Sequence, residues 1–322
     1  MIKIFAIHFN RPDFILLQNK TLRKFVKEDF EYVVVNNASQ PEIRNVLEQA
    51  AKSISIRTIQ VFENIDQHAA AAYPGYHHSI AMNQILRDEI KNQNDICVIL
   101  DGDMFLLKPY SFEEKMKGVQ LLGGLLQQKG RYWLTPVAIG MKPFELPDFD
   151  SINLIGSHIF NMEPHDKSKD VSFYPRKVGD NYVFDCPACT GAVSCSDENH
   201  IRLDTGGEIY TYLRDHPDVK VKRMSTTSQI KNDSIHKFPE LTKHGYTEEY
   251  HFEIYDGSFL HYCRSSNWDR KNFDFHQRKT RVLVDIAESV MRGETSLDSD
   301  YTLDDNEWSG WPLEVMKTHG VI

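Results

Sequence analysis

Along the first hundred residues, short continuous apolar runs alternate with stretches in which apolar residues recur every three or four positions. Residues 2–9 read as a strand, and 13–27 as a helix carrying Phe14, Leu17, Leu22, Phe25 and Val26 on one side. Residues 31–36 (EYVVVN) read as a second strand, 41–51 as a helix opened by Pro41, and 54–61 as a third strand. A third helix is expected over 76–91, then a continuous apolar strand over 96–101 of the kind buried on both faces. Strands alternating with helices predict βαβ units and an α/β fold built on a mostly parallel sheet flanked by helices.

Beyond residue 110 the pattern is mixed. Residues 118–126 and 131–140 read as further strands of the same sheet, whereas 141–150 and 162–190, rich in Pro, Asp and Lys, read as long loops. LDTGGEIYTYL (203–213) reads as a helix entered through Asp204 or Thr205, followed by strands at 218–223 and 257–263 and a C-terminal helix at 273–291. One domain is expected over 1–292, in halves 1–110 and 111–292, with an acidic tail at 293–322.

Composition changes this picture little. At 322 residues, with 41% hydrophobic and 26% charged, the chain is long enough for a core that needs no disulfides. A net charge of −9 argues against general attraction to nucleic acid or to an anionic membrane. No apolar stretch approaches the roughly 20 residues needed to cross a bilayer, and MIKIFAIHFNRPDF reads as a first strand rather than a signal peptide. The expectation is a soluble, cytoplasmic protein. Five cysteines, an odd number, with Cys97 and Cys263 inside apolar runs, fit a reducing compartment.

Candidate chemistry gathers at strand ends, where open α/β sheets bind ligands. His8-Phe9-Asn10-Arg11 follows the first strand, Asn36-Asn37-Ala38-Ser39 the second, and Asp101-Gly102-Asp103 the fourth. A turn needs only one Asp, and a second carboxylate beside it costs repulsion unless a cation or hydrogen bonds offset it. Hard oxygen ligands with open positions suit Mg²⁺ or Mn²⁺ shared with a diphosphate, while the plain alternative is an Asp-Gly hairpin turn. A calcium EF-hand loop is excluded, because Met104-Phe105-Leu106 supplies no ligands. A haloacid-dehalogenase-type phosphatase is expected to carry its Asp-x-Asp near the first strand, with Thr or Val where Phe105 stands.

The run "LDGDMFLLKP", preceded by the helix "HHSIAMNQIL" (77–86) with His78 and Asn83, resembles the nucleotide-sugar-binding half of GT-A fold glycosyltransferases, in the style of family 2. The likeness spans about residues 1–110 and then two islands, "LDTGG" and "FLHYCRSSNW". It implies a Rossmann-type nucleotide-sugar half at 1–110 and an irregular acceptor-side half at 111–292, with transfer of a sugar from a UDP- or GDP-sugar to a glycan, protein or lipid-linked hydroxyl. It implies that Asp103 binds Mn²⁺ or Mg²⁺, that Asp101 contacts the ribose or the metal through water, and that His261 is either a third ligand or structural. His8, Asn10, Arg11, Asn36 and Asn37, with His78, Asn83, Arg264, Asn267 and Trp268, would hold the nucleotide-sugar. Many family 2 members carry an Asp where Asn36 and Asn37 stand, and a strand-ending Asn turn is the other reading of that pair.

Asp204 is the candidate general base if the reaction inverts, with two glycines beside it leaving room for a sugar, or else a helix N-cap; Asp256 and Glu208 are reserves. Trp268 is either a stacking group or core, and Trp308 and Trp311 form a sugar platform or pin the tail. Cys186, Cys189, Cys195 and His200 either hold a structural Zn²⁺ or pack a loop with small cysteines. Two other functions share the sheet. One is a nucleotide-sugar-binding module without turnover; the other is a sugar-nucleotide pyrophosphorylase, whose expected Gly-rich phosphate loop is absent from "HFNRPDF".

Overall fold

The apolar runs of the N-terminal third become strands of the protein's largest sheet. The computed structural model describes residues 1–38, 40–61, 75–128, 131–161, 163, 166–178, 181–183, 200–228, 252–263 and 273–296. The chain begins with β1 (Ile2–His8), α1 (Pro12–Phe25), β2 (Phe30–Asn36), α2 (Pro41–Ser53) and β3 (Arg57–Gln60). It continues with α3 (Tyr76–Ile85), β4 (Ile96–Asp101), β5 (Met104–Leu106), α4 (Phe112–Lys115), β6 (Leu121–Gln128) and β7 (Arg131–Met141). Next are β8 (Ser157–Phe160), β9 (Val171–Phe173), β10 (Arg176–Val178), β11 (Asn181–Val183), β12 (His200–Leu203), α5 (Ile209–Asp215) and β13 (Val221–Met224). The last described elements are β14 (Thr226–Ser228), β15 (Glu253–Tyr255), β16 (Phe259–His261) and α6 (Phe273–Arg292).

The fold is α/β, with a mostly parallel seven-stranded sheet ordered β13-β6-β7-β4-β1-β2-β3. Strands β1 and β2 run parallel from Ile2↔Phe30 to His8↔Asn36, and β3 continues parallel beside β2. The β6–β7 pair is antiparallel. Proline at the first turn sets the start of both α1 and α2, where its missing N–H costs nothing.

The chain divides into two compact units. Unit 1 comprises Met1–Gln60, Leu100–Lys115 and Met224–Ile322; unit 2 comprises Val61–Ile99 and Met116–Arg223. Unit 1 also holds a small sheet ordered β14-β15-β16-β5. In its core Phe14 meets Phe105 and Tyr262 edge-on, both at 5.1 Å. In unit 2, Asp170 accepts from Arg131 Nη2 and Nε (2.6 and 2.9 Å), Asn161 Nδ2 (2.6 Å) and the Tyr210 hydroxyl (2.6 Å). So many donors make this buried ion pair a satisfied one.

Three sequence expectations change, and the first is the long loop expected over 162–190, which carries β9, β10 and β11. Strands β4 and β5 lie in different sheets, so Asp101-Gly102-Asp103 is not the turn of a hairpin between them. The helix expected over 203–213 begins only at Ile209: residues 200–203 are strand, and Gly206 N–H and Glu208 N–H donate to Leu154 and Ile155 carbonyls instead of starting a helix. Gly206 has φ +83°, and a Cβ there would lie 2.2 Å from the Leu134 carbonyl of β7. Close backbone packing against β7 therefore requires this glycine.

Candidate active site

The ends of β1, β2 and β4 converge on one edge of unit 1. Register pairs His8 with Asn36. Asn37 N–H donates to the His8 carbonyl (3.0 Å), and Gly102 N–H to the Ile7 carbonyl (2.9 Å). A Cβ on Gly102 would sit 2.5 Å from that same carbonyl and 2.8 Å from His8 Nδ1. Glycine is required here by the chain's own first strand, a stronger demand than the approach of a ligand.

A buried amide then fixes the turn. Gln18 of α1 donates from Nε2 to the carbonyls of Asp101 (2.9 Å) and Met104 (2.7 Å), bracketing the two carboxylates. Its Oε1 accepts from the Tyr32 hydroxyl at 2.7 Å and lies 3.1 Å from His8 Nε2, which also lies 3.0 Å from that hydroxyl. With the Tyr32 proton committed to Gln18, His8 supplies its Nε2–H as the remaining donor. Burial pulls the His8 pKa down to about 4, against the upward pull of Gln18 and Asp103, so the ring is neutral.

The third group arrives from β16. The β5–β16 register sets His261 opposite Met104, and Tyr262 N–H donates to the Asp103 carbonyl at 2.9 Å. His261 Nε2 consequently lies 3.1 Å from Asp103 Oδ1. On the other side of the ring, Nδ1 is 3.0 Å from Glu253 Oε2, its cross-strand partner on β15, and 3.3 Å from Cys263 Sγ.

Asp103 is buried, whereas Asp101, His261 and Glu253 are partly exposed. Burial, then Asp103, push the Asp101 carboxyl up to about 8, partly offset by His261 and the Gly102 N–H. Burial disfavours a charged His261, but its Cys263 and Asp103 neighbours outweigh that and hold its pKa well above the ordinary value. Because burial also pushes the Cys263 thiol up, Asp103 is the partner that counts.

Among the described residues, two sets of donor atoms lie within 4.8 Å of one another: Asp101, Asp103 and His261, and Glu253, His261 and Cys263. The first is two carboxylates and an imidazole at a strand end. That donor set fits Mn²⁺ or Mg²⁺, hard cations that keep positions open for other oxygen ligands. The second, with its thiol, is softer.

No family model matches the chain, and no curated protein matches it. Among solved structures it is similar to an active-site mutant of LgtC, at 14% identity and TM-score 0.32, over 47% of this chain and 61% of that one. The galactosyltransferase LgtC in complex with donor and acceptor sugar analogs gives 13% and 0.31, over 47% and 62%. Mannosyltransferase PcManGT from Pyrobaculum calidifontis, in complex with GDP-Man and Mn²⁺, gives 15% and 0.28, over 44% of each chain. The chain thus spans less than two thirds of the length of each, and likenesses at this level decide nothing about its chemistry.

The other candidate residues are distributed as follows. The Arg11 guanidinium is buried in an ion pair with Asp13 (2.6 Å), donates to Thr280 of α6 (2.9 Å) and lies 3.7 Å over the Phe14 ring, an anchor between α1 and α6. Asn36 closes its own turn, accepting from Ala38 N–H and donating to the Arg44 carbonyl. Asn10 is half-buried with φ +56°, a left-handed conformation that Asn tolerates. In unit 2, His78 lies on α3, and Asn83 donates to Asn153 Oδ1 (2.7 Å) while accepting from Leu154 N–H (2.9 Å).

Asp204 is exposed and accepts from Thr205 N–H at 2.7 Å. Of the reserves, Asp256 accepts from Tyr110 (3.0 Å) and pairs with Lys115 (2.6 Å). Glu208 is buried against Ser172; burial raises its pKa, against the hydrogen bonds from Ser172, Ser157 and Thr211. His200 Nε2 meets His158 Nδ1 at 2.8 Å. Cys186, Cys189, Cys195, Arg264, Asn267, Trp268, Ser39, Trp308 and Trp311 lie outside the described residues. Among the described residues, no helix is long and apolar enough to cross a membrane.

Sequence reasoning missed Gln18, Tyr32 and Glu253. A signal for Glu253 was present, because Asp256-Gly257 sits between apolar runs. It is a turn in which both residues take positive φ (51° and 60°), and it folds β15 back onto β16.

Proposed function

We propose that the chain is a GT-A-like, metal-dependent glycosyltransferase, family 2-like in its first 110 residues, which moves a sugar from a nucleotide diphosphate donor to a hydroxyl acceptor. The observation that carries this reading is the cluster of Asp101, Asp103 and His261 at the end of β4, beside the polar ends of β1 and β2. Asp103 and His261 Nε2 would hold Mn²⁺ or Mg²⁺, with Asp101 completing the set or contacting the ribose. The cation supplies charge neutralisation for a departing diphosphate. The strand-end groups at Asn10, Asn36 and Asn37 line the edge where the nucleoside would lie, and Gln18 keeps both carboxylates in place. If the reaction inverts, the exposed Asp204 would be the base that takes the acceptor proton.

The test is nucleoside diphosphate release from UDP-, GDP- and dTDP-sugars with Mn²⁺, Mg²⁺ or EDTA, comparing wild type with Asp103→Ala. Metal-dependent release from one donor, abolished in the variant, is expected. Nucleotide affinity without release or transfer on any donor would indicate a binding module. No release and no thermal stabilisation by metal with nucleotide would sink the reading.

A further inference from the structure

Among the polar groups around the cluster, Glu253 meets His261 at Nδ1, the nitrogen opposite the one that meets Asp103. Strand pairing puts it there: the β15–β16 register sets Glu253 directly opposite His261, so the two side chains share a face. Its Oε2 lies 3.0 Å from His261 Nδ1, and the Tyr255 hydroxyl donates to that same oxygen at 3.0 Å. The Tyr255 ring stands edge-on to His261 at 5.9 Å. On the opposite edge Nε2 points at Asp103 Oδ1, 3.1 Å away.

We infer that Glu253 is a positioning residue for the cation, orienting His261 so that Nδ1 carries a proton and the Nε2 lone pair faces the site between Asp101 and Asp103. The inference rests on the metal reading above and deepens it. A carboxylate only accepts, so once a cation takes the Nε2 lone pair in place of Asp103, the ring's one N–H is Nδ1–H, donating to Glu253. One imidazole nitrogen held as a donor leaves the other as the only one able to bind a metal, and the carboxylate makes that nitrogen more basic. Cys263 Sγ, 3.3 Å from the same Nδ1, is the weaker acceptor left behind if Glu253 is removed. Loss of Glu253 therefore weakens cation binding without removing a ligand.

Mn²⁺ binding is titrated by electron paramagnetic resonance, which reads free and bound ion without any substrate, in wild type, Asp103→Ala, Glu253→Ala and Glu253→Gln, with melting temperatures of the metal-free proteins taken alongside. Glu253→Ala is expected to weaken Mn²⁺ binding by about 10–100-fold, the usual effect of losing an outer-shell partner of a ligand. Glu253→Gln, which keeps an acceptor but not the charge, is expected to fall between it and wild type. Wild-type affinity in a folded Glu253→Ala or Glu253→Gln, with binding lost in Asp103→Ala, overturns the inference alone. If Glu253→Ala melts far below the rest, the glutamine variant decides. No Mn²⁺ binding in the wild type overturns the metal reading and this inference with it.

Discussion

Replacing Gly102 by alanine perturbs the candidate site without touching a ligand. The added Cβ would lie 2.5 Å from the Ile7 carbonyl, 2.8 Å from His8 Nδ1 and 3.0 Å from His8 Cα. Two of these atoms are backbone of a strand with parallel pairing along its whole length, so they have little room to give. Reaching even 3.0 Å from the carbonyl requires a displacement of about 0.5 Å, which the turn must absorb while Gln18 holds both of its flanking carbonyls. Overpacking of this kind costs about 1–3 kcal/mol. At roughly 2–4 °C per kcal/mol for a domain of 150–250 residues, the melting temperature should fall by a few degrees to about 10 °C. The same displacement matches the ~0.5 Å tolerance of a preorganised site, so Mn²⁺ affinity should fall by at least about tenfold. Circular dichroism melts and a Mn²⁺ titration check both. A Gly102→Ala protein with wild-type melting and wild-type metal affinity would refute the claim that β1 dictates this glycine.

Removing the clamp should be costlier in stability. Gln18→Ala removes a donor from the Asp101 and Met104 carbonyls and an acceptor from the Tyr32 hydroxyl, and a loss of about 2–4 kcal/mol is expected in urea unfolding; a loss below about 1 kcal/mol would show these bonds to be dispensable. His8 makes stability depend on pH. The unfolded ring takes up a proton near 6.5 while the native ring waits until about 4, so the unfolded state binds more protons in that window and stability falls as pH drops through it. Between pH 7 and pH 5 this term is about 2 kcal/mol. His8→Gln should lose correspondingly less than wild type over that interval, and equal losses in the two proteins would contradict the buried, neutral ring.

What the sequence reveals of this protein depends on how local the cause is. Strands β1, β2 and β4 were legible because a doubly buried strand must be apolar throughout, α1 because its apolar residues recur at helical spacing, and α2 because Pro41 marks its first turn. Strands β5, β15 and β16 are three residues each, too short for periodicity to show. The helix expected from Asp204 starts late because the Gly206 and Glu208 N–H groups donate to the Leu154 and Ile155 carbonyls, some fifty positions away. At the candidate site, Asp101, Asp103 and His261 stood out by residue type and place, and they lie together. Gln18 and Tyr32 could not stand out, since an amide and a phenol acquire meaning only from the carbonyls they reach.

The interleaving of the two units bears on how the protein is made. Unit 1 is assembled from three segments, and its last begins only at Met224. On a ribosome adding about 5–20 residues per second, His261 emerges on the order of ten to thirty seconds after Asp103. Through that interval the two aspartates and the first strand have no imidazole and no β16 to pair with β5, and at Arg223, before it ends, the nascent chain comes to hold every residue of unit 2. Joining ends so distant along the polypeptide is entropically slow. A cation held by Asp101, Asp103 and His261 would not template the early chain, because His261 follows Asp103 by 158 residues.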